Sequence, residues 1–402
     1  MKDKKKVLLV NGSRTPIGSF GRSLKSVGVD KLAGHAISQA LRRAGVTPGQ
    51  VDGVILGHAF QSSLTPNLAR FVWDKTLGYP VHVPGYTVQI QCGSGMKAIN
   101  LAMDEIQLGH GDIYVAGGAE SMTTIPYLVP GAVRFTGLLS RWFKFGPRPF
   151  AGLADDGMVP RSLLWDTRTT FMSATAQRLA NAYGISRQAQ DEYALRSQQL
   201  AAAAAKSGRL ALEIDPIATK SGYMERDEHP RNTSAEKLAA LPGVLKQKDI
   251  TAGNSSGIND GGCAVVLASE EAVANLKLAP LAELVDHCVA GVDPEEMGLG
   301  PVLAIRKLLE RNGLTLADIG LFEVNEAFAA QYLACEKLLG LDRSKVNVNG
   351  GAIALGHPIA MSGARITLSL AHEMKLRGVK YGIASLCIGG GQGVATLLKL
   401  VD

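Results

Sequence analysis

The sequence predicts an α/β protein made of two duplicated halves with an inserted segment. Three observations predict it. Apolar strand-like runs alternate with amphipathic helical stretches, glycine is frequent at 46 of 402 residues, and aromatic residues are sparse at 5%. Tight turns and close helix–strand packing use that composition. The third observation is a long-range repeat. Residues 40–60 read ALRRAGVTPGQVDGVILGHAF and residues 308–328 read LLERNGLTLADIGLFEVNEAF. At one offset of 268, Gly45 matches Gly313, Thr47 matches Thr315 and Ala59-Phe60 matches Ala327-Phe328. The same offset matches Ser94-Gly95 with Ser362-Gly363, Glu105 with Glu373 and Ala116 with Ala384. A register shared by separate stretches marks one unit used twice.

Each unit has the same order of elements. A helix (about 32–44, about 301–312) leads to an apolar strand (53–57, 320–324). A second helix (about 94–108, about 362–377) leads to another strand (112–117, 380–386). This alternation is expected to give parallel βαβ units. The first unit breaks after VAGGAES at 115–121, and its next strand, CAVVLAS, begins only at 263. The intervening chain holds a helix at 186–206 capped by Ser186. The expected division is 1–122 with 253–272, an insertion at 123–252, and 273–402.

Composition bounds the function. The net charge of +6 suits an acidic small molecule or an anionic surface. No basic stripe interleaved with aromatics supports nucleic-acid binding. Five cysteines without a CxxC pair point to a reduced, cytoplasmic setting, not to a disulfide framework. MKDKKKVLLV has too short an apolar run for a signal peptide and is expected to be the first strand. No stretch is long enough to span a bilayer.

Four motifs carry possible chemistry. QCGSG at 91–95 sets Cys92 at a helix start, where backbone N–H groups and the helix dipole favour a thiolate. Taken alone, a lone cysteine is more often an inert buried residue. GGAIALGHPIAMSG at 350–363 places His357 in a glycine-rich turn before the second unit's matching helix, where it could act as base toward a thiol or be a satisfied turn histidine. CIGGGQG at 387–393 puts Cys387 at a strand end, followed by unhindered backbone N–H groups. NEAF at 325–328 brings Asn325 to the carboxyl edge of a strand, where ligands bind. The offset pairs Cys92 with Ala360 and Asn325 with Gly57. The repeat therefore keeps packing residues and breaks at these polar ones, as a single active site on a duplicated scaffold should.

QCGSGMKAINLA, AGGAESM, TAGNSSGINDG, NEAF, GGAIALGHP and CIGGGQG, in this order, resemble the thiolase superfamily over essentially the whole chain. The resemblance implies a five-layer α/β/α/β/α fold with an inserted loop domain that holds coenzyme A. It implies acyl transfer between a 3-ketoacyl-CoA and coenzyme A, with acyl-CoA and CoA as substrates and no metal or other cofactor. Cys92 would be the acylated nucleophile. His357 would activate it and, with a water held by Asn325, bind one thioester oxygen. Cys387 would be the acid/base, and the N–H groups of Cys92 and Gly389 a second oxyanion hole. Ser256 would lie near the pantetheine arm, Arg231 on the adenine side, and Met172, Phe328 and Met361 along the substrate.

Family resemblance also implies a homodimer or homotetramer. A β-ketoacyl synthase-like condensing enzyme, which usually pairs its cysteine with two histidines, and a non-catalytic thiolase-like scaffold are the competing readings. Three departures bear on the substrate. Ala360-Met361 replace the usual Gly-Ala, Phe171 precedes Met172 where short-chain enzymes carry histidine, and 134–150 (RFTGLLSRWFKFGPRPF) is basic and aromatic. The last is expected to dock on an anionic membrane surface or a β-oxidation partner subunit.

Overall fold

The computed structural model describes residues 5–128, 155–156 and 171–401. The segment 134–150 lies outside them. The chain opens with β1 (Val7–Arg14), the short β2 (Gly18–Ser19) and helix α1 (Val29–Ala44). α1 ends at Gly45, whose φ of +70 suits a residue without a side chain. Thr47 and Gln50 then cap a single turn reciprocally before β3 (Gly53–Gly57). β4 (Gly85–Val88), α2 (Ser94–Leu108) and β5 (Ile113–Ser121) follow.

Between β5 and the next long strand run two small antiparallel pairs, β6 (Tyr127–Leu128) with β7 (Asp155–Asp156), and β8 (Ile217–Thr219) with β9 (Gly222–Met224). The same stretch holds α3 (Met172–Tyr183) and α4 (Arg187–Lys206). Ser186 caps α4 by accepting from Ala189 N–H at 3.1 Å.

The second unit repeats the first. β10 (Asn259–Ser269) is followed by β11 (Ala282–Gly291), α5 (Gly300–Asn312) and β12 (Leu321–Val324). α5 ends at Gly313 with φ +62, and Thr315 with Asp318 forms a second reciprocal cap. These match Gly45, Thr47 and Gln50 at the sequence offset. α6 (Ala329–Leu339), α7 (Ile359–Arg377), β13 (Tyr381–Ile388) and β14 (Gln392–Leu400) complete the chain.

The strands run in the order β12-β13-β14-β11-β1-β10-β5-β3-β4. The half-sheets meet at an antiparallel seam pairing Val7 with Leu284, Leu8 with Glu283 and Leu9 with Ala282. Among the described strands, only β3–β4, β3–β5 and β12–β13 pair in parallel. β5–β10, β1–β10, β13–β14 and β11–β14 are antiparallel. The expected parallel βαβ units are β3–α2–β5 and β12–α7–β13, and the remaining strands join them antiparallel. β3 to β5 and β12 to β13 are joined by crossover helices, whereas the β13–β14 turn is too tight for anything but a hairpin.

α1 packs on β1, β5 and β10, and α5 on β11, β13 and β14. α2 and α7 pack on each other and touch both half-sheets. The result is five layers, α/β/α/β/α. The outer helix α1 buries one stripe, Leu32, Ala33, Ala36, Ile37, Ala40 and Leu41, as an amphipathic helix should. The central α7 is buried at every residue from Ile359 to Met374.

Glycines let the central helix starts meet. A Cβ at Gly118 would stand 2.1 Å from Ala360 O, one at Gly95 2.3 Å from the same atom, and one at Gly363 2.6 Å from Met96 N. Each close neighbour is backbone and cannot rotate away. Gly118→Ala should cost about 1–3 kcal/mol or more, because it overpacks against backbone. Gly49→Ala, which meets nothing within 4 Å, should stay within about 0.5 kcal/mol of the parent. Urea denaturation of both variants checks this, and equal stability would show that the central contact is slack.

Candidate active site

Cys92 stands at the tip of a sharp entry into α2. Gln91 has φ +52, and the turn Gln91–Gly93 runs directly into Ser94. Ser94 Oγ locks the turn, donating to Gln91 O at 2.6 Å and accepting from Ile90 N–H at 3.0 Å. Gly93 has no side chain because a Cβ would lie 2.5 Å from Ile388 Cδ1. The Cys92 turn therefore rests on the strand end that carries Cys387 and Gly389.

Cys92 is half-buried. The backbone N–H groups of Gly389 and of Cys92 itself face its sulfur and favour the thiolate. Burial outweighs them, with the Glu120 carboxylate adding to it, and pushes the thiol up to about 11. The helix start favours the thiolate as expected, but burial is the larger effect. At neutral pH the sulfur holds its proton and needs a base.

His357 has the properties of that base. Its Nδ1 is 2.6 Å from Ser362 Oγ, and Ser362 Oγ donates its own proton to Pro358 O at 2.9 Å. Ser362 Oγ must then accept, so the ring proton sits on Nδ1 and Nε2 carries a lone pair. Nε2 is buried and has no hydrogen-bond partner. Burial, helped by Arg365, lowers the imidazole to about 4, so it is neutral at pH 7. The turn is held by His357 N–H donating to Asn259 Oδ1 at 2.9 Å. Gly356, at φ +108, would drive a Cβ into the Asn259 side chain. Ile359 and Ala360, just beyond Pro358, pack with Cys92, Phe60 and Met122.

Asn325 directly follows β12 and is 1% exposed. Its backbone N–H donates to Ser385 O at 2.9 Å, but neither side-chain amide atom has a partner. Buried amides without partners call for a ligand or a water. Cys387 is buried on β13, packed with Met172, Met297, Ala327 and Phe328. Burial raises its thiol well above the ordinary range, and the nearby Cys92 adds to the rise. Met172 also approaches Gly389, whose Cβ would lie 3.7 Å from Met172 Sδ.

The structure brings Cys92, Cys387, Gly389, Met172 and Phe328 together. Ser256 lies alongside, its N–H donating to Ala327 O at 3.0 Å while Ser255 bridges to Phe328. Arg231 is exposed on an adjoining loop, with its Nη2 donating to Ala252 O at 3.0 Å and its N–H to Gln198 Oε1 at 2.9 Å. Met361 is fully buried in the central core, its sulfur 2.6 Å from where a Gly261 Cβ would stand.

Two buried carboxylates were not singled out in the sequence. Glu120 accepts from Ala59 N–H at 3.0 Å, Phe60 N–H at 3.3 Å and Ala360 N–H at 3.3 Å, joining both halves beside Cys92. Glu326 accepts from Tyr193 Oη at 2.8 Å, Ser197 Oγ at 2.7 Å, Asn347 Nδ2 at 3.0 Å and Ile353 N–H at 3.2 Å. It ties α4 to the strand end of Asn325 and to the chain before His357. Their places beside the quoted motifs, in AGGAES and NEAF, were the available signal.

Comparison with known proteins agrees with this arrangement. Residues 7–271 match the family model "Thiolase, N-terminal domain" and residues 278–400 "Thiolase, C-terminal domain". The acetyl-CoA acetyltransferase of Syntrophomonas wolfei is 44% identical, over 98% of this chain and 99% of its own. The crystal structure of the Bacillus anthracis acetyl-CoA acetyltransferase superposes with a TM-score of 0.91 at 45% identity, covering 99% of both chains. Human mitochondrial 3-ketoacyl-CoA thiolase in complex with CoA superposes with a TM-score of 0.90 at 43% identity, covering 99% of this chain and 98% of that one. With both domain models matched and relatives aligned along nearly its full length, the chain belongs to the thiolase family.

Proposed function

We propose that this protein is an acyltransferase that moves an acyl group between a 3-ketoacyl-CoA and coenzyme A through an acyl-Cys92 intermediate. The observation that carries the mechanism is the set of unpaired groups. His357 Nε2 and both Asn325 amide atoms are buried without partners, and burial holds the Cys92 thiol above its ordinary range.

In the cleavage direction, His357 Nε2 takes the Cys92 proton as the sulfur attacks the keto carbon. The carbon–carbon bond breaks, and Cys387 gives its proton to the departing enolate of acetyl-CoA. Coenzyme A then attacks acyl-Cys92, its thiol proton passing to the Cys387 thiolate, and His357 returns the first proton to Cys92. The N–H groups of Gly389 and Cys92 hold one thioester oxygen, and His357 with an Asn325-bound water holds the other. Condensation is the same sequence reversed. Ser256 and Arg231 flank the coenzyme A path, and Met172 and Phe328 the acyl end. No metal or cofactor besides coenzyme A takes part in this scheme.

The division into 1–122 with 253–272, 123–252 and 273–402 is part of the same reading, with 123–252 as the coenzyme A loop domain. So are a homodimeric or homotetrameric assembly and a cytoplasmic location. No helix among the described residues is long and apolar enough to cross a membrane.

Cys92→Ser should abolish acyl-enzyme formation, because an alcohol needs a much stronger base than a thiol of ordinary pKa about 8.5. Cys387→Ser should leave some acylation but slow turnover, because Cys387 protonates the departing enolate and takes the coenzyme A proton. Intact-mass spectrometry with a 3-ketoacyl-CoA reads both, and iodoacetamide inactivation that labels a different cysteine would defeat the assignment. Segment 134–150 is proposed as a docking surface for an anionic membrane or a partner subunit. Charge reversal at Arg141 and Lys144 should weaken liposome co-sedimentation or partner pull-down, and no change in either removes this role.

A further inference from the structure

The residue before Cys92 has three features that the chemistry above leaves unused. Gln91 has φ +52, a backbone state that residues with side chains hold only where the surroundings impose it, often at functional sites. The residue is 7% exposed, yet its Oε1 has no hydrogen-bond partner. It also borders the reacting centre, since a Cβ at Gly389 would lie 4.0 Å from Gln91 Cγ and 3.7 Å from Met172 Sδ. Gln91 and Met172 thus flank Gly389, whose N–H faces the Cys92 sulfur.

Glycine would hold the same backbone without strain. The chain instead carries a strained residue whose amide oxygen is buried and unpaired at the edge of the site. We propose that Gln91 is a specificity-determining residue, a polar spot on the wall of the acyl site that favours short acyl groups over long apolar ones. The inference rests on the thiolase reading. A short acyl group leaves the carboxamide room for a water. A long methylene chain covers it, and Oε1 is then desolvated with nothing to bond.

The test uses Gln91→Leu and Gln91→Gly in the full-length enzyme. The kcat/KM for thiolysis of acetoacetyl-CoA and of 3-ketodecanoyl-CoA is measured with the melting temperature of each variant. Both variants should raise the long-to-short ratio about tenfold, the scale set by one unpaired buried polar group. Gln91→Gly should melt no lower than the parent, because glycine suits φ +52. A ratio within about twofold of the parent in both variants, whatever their melting temperatures, would overturn the proposal. A wild-type enzyme that cleaves neither substrate would overturn the thiolase reading and this inference with it. Activity on either substrate with an unchanged ratio in the variants would overturn this inference alone.

Discussion

The site depends on one steric constraint, the backbone contact between the starts of the two central helices. Ala360 O, at the head of α7, lies against Gly95 at the head of α2 and Gly118 on β5. With any side chain at Gly95 or Gly118, the two helix starts would be forced apart. Each half contributes one of these helices, so the contact turns a duplicated scaffold into one shared site. Glu120 reinforces it by accepting N–H groups from Ala59 and Phe60 in one half and Ala360 in the other.

The same close packing sets the electrostatics. Burial raises the thiols of Cys92 and Cys387 and lowers the imidazole of His357. All three are neutral at rest, so the site does not bury an uncompensated charge. Charge then appears only as substrate arrives, beside the Gly389 and Cys92 N–H groups. Ser362 gives His357 its useful tautomer, and its repeat-mate Ser94 holds the Cys92 turn. One duplicated serine thus holds the Cys92 turn in one half and the His357 ring in the other.

Much of this was legible in the sequence. The offset of 268 reappears as matched glycine C-caps at Gly45 and Gly313 and matched capping turns at Thr47 and Thr315. Cys92, Cys387 and Gly389 were readable because glycines flank them, and glycine patterns reflect local backbone demands. The parallel pairs β3–β5 and β12–β13 were legible from the helices between their strands, but the antiparallel pairing of the other strands was not, because it depends on which strands neighbour each other. Nor was the protonation of Cys92 legible. A helix start is a local feature, whereas desolvation depends on chain brought from hundreds of residues away. Gln91 and Glu120 escaped for a similar reason. Nothing in their neighbours' identities shows that one is strained and unpaired, or that the other accepts three N–H groups.

The central claim is that a neutral His357 removes the proton from a Cys92 thiol that is otherwise un-ionised. The direct measurement is the single-turnover rate of Cys92 acylation by a 3-ketoacyl-CoA, in wild type and His357→Ala, across pH. The variant should be slower near neutrality by about two to four orders of magnitude, the usual worth of a positioned base. The gap should close as pH rises toward about 11, where the thiol ionises unaided. A variant that acylates Cys92 at the wild-type rate near pH 7, or a deficit that stays constant up to high pH, would contradict the account.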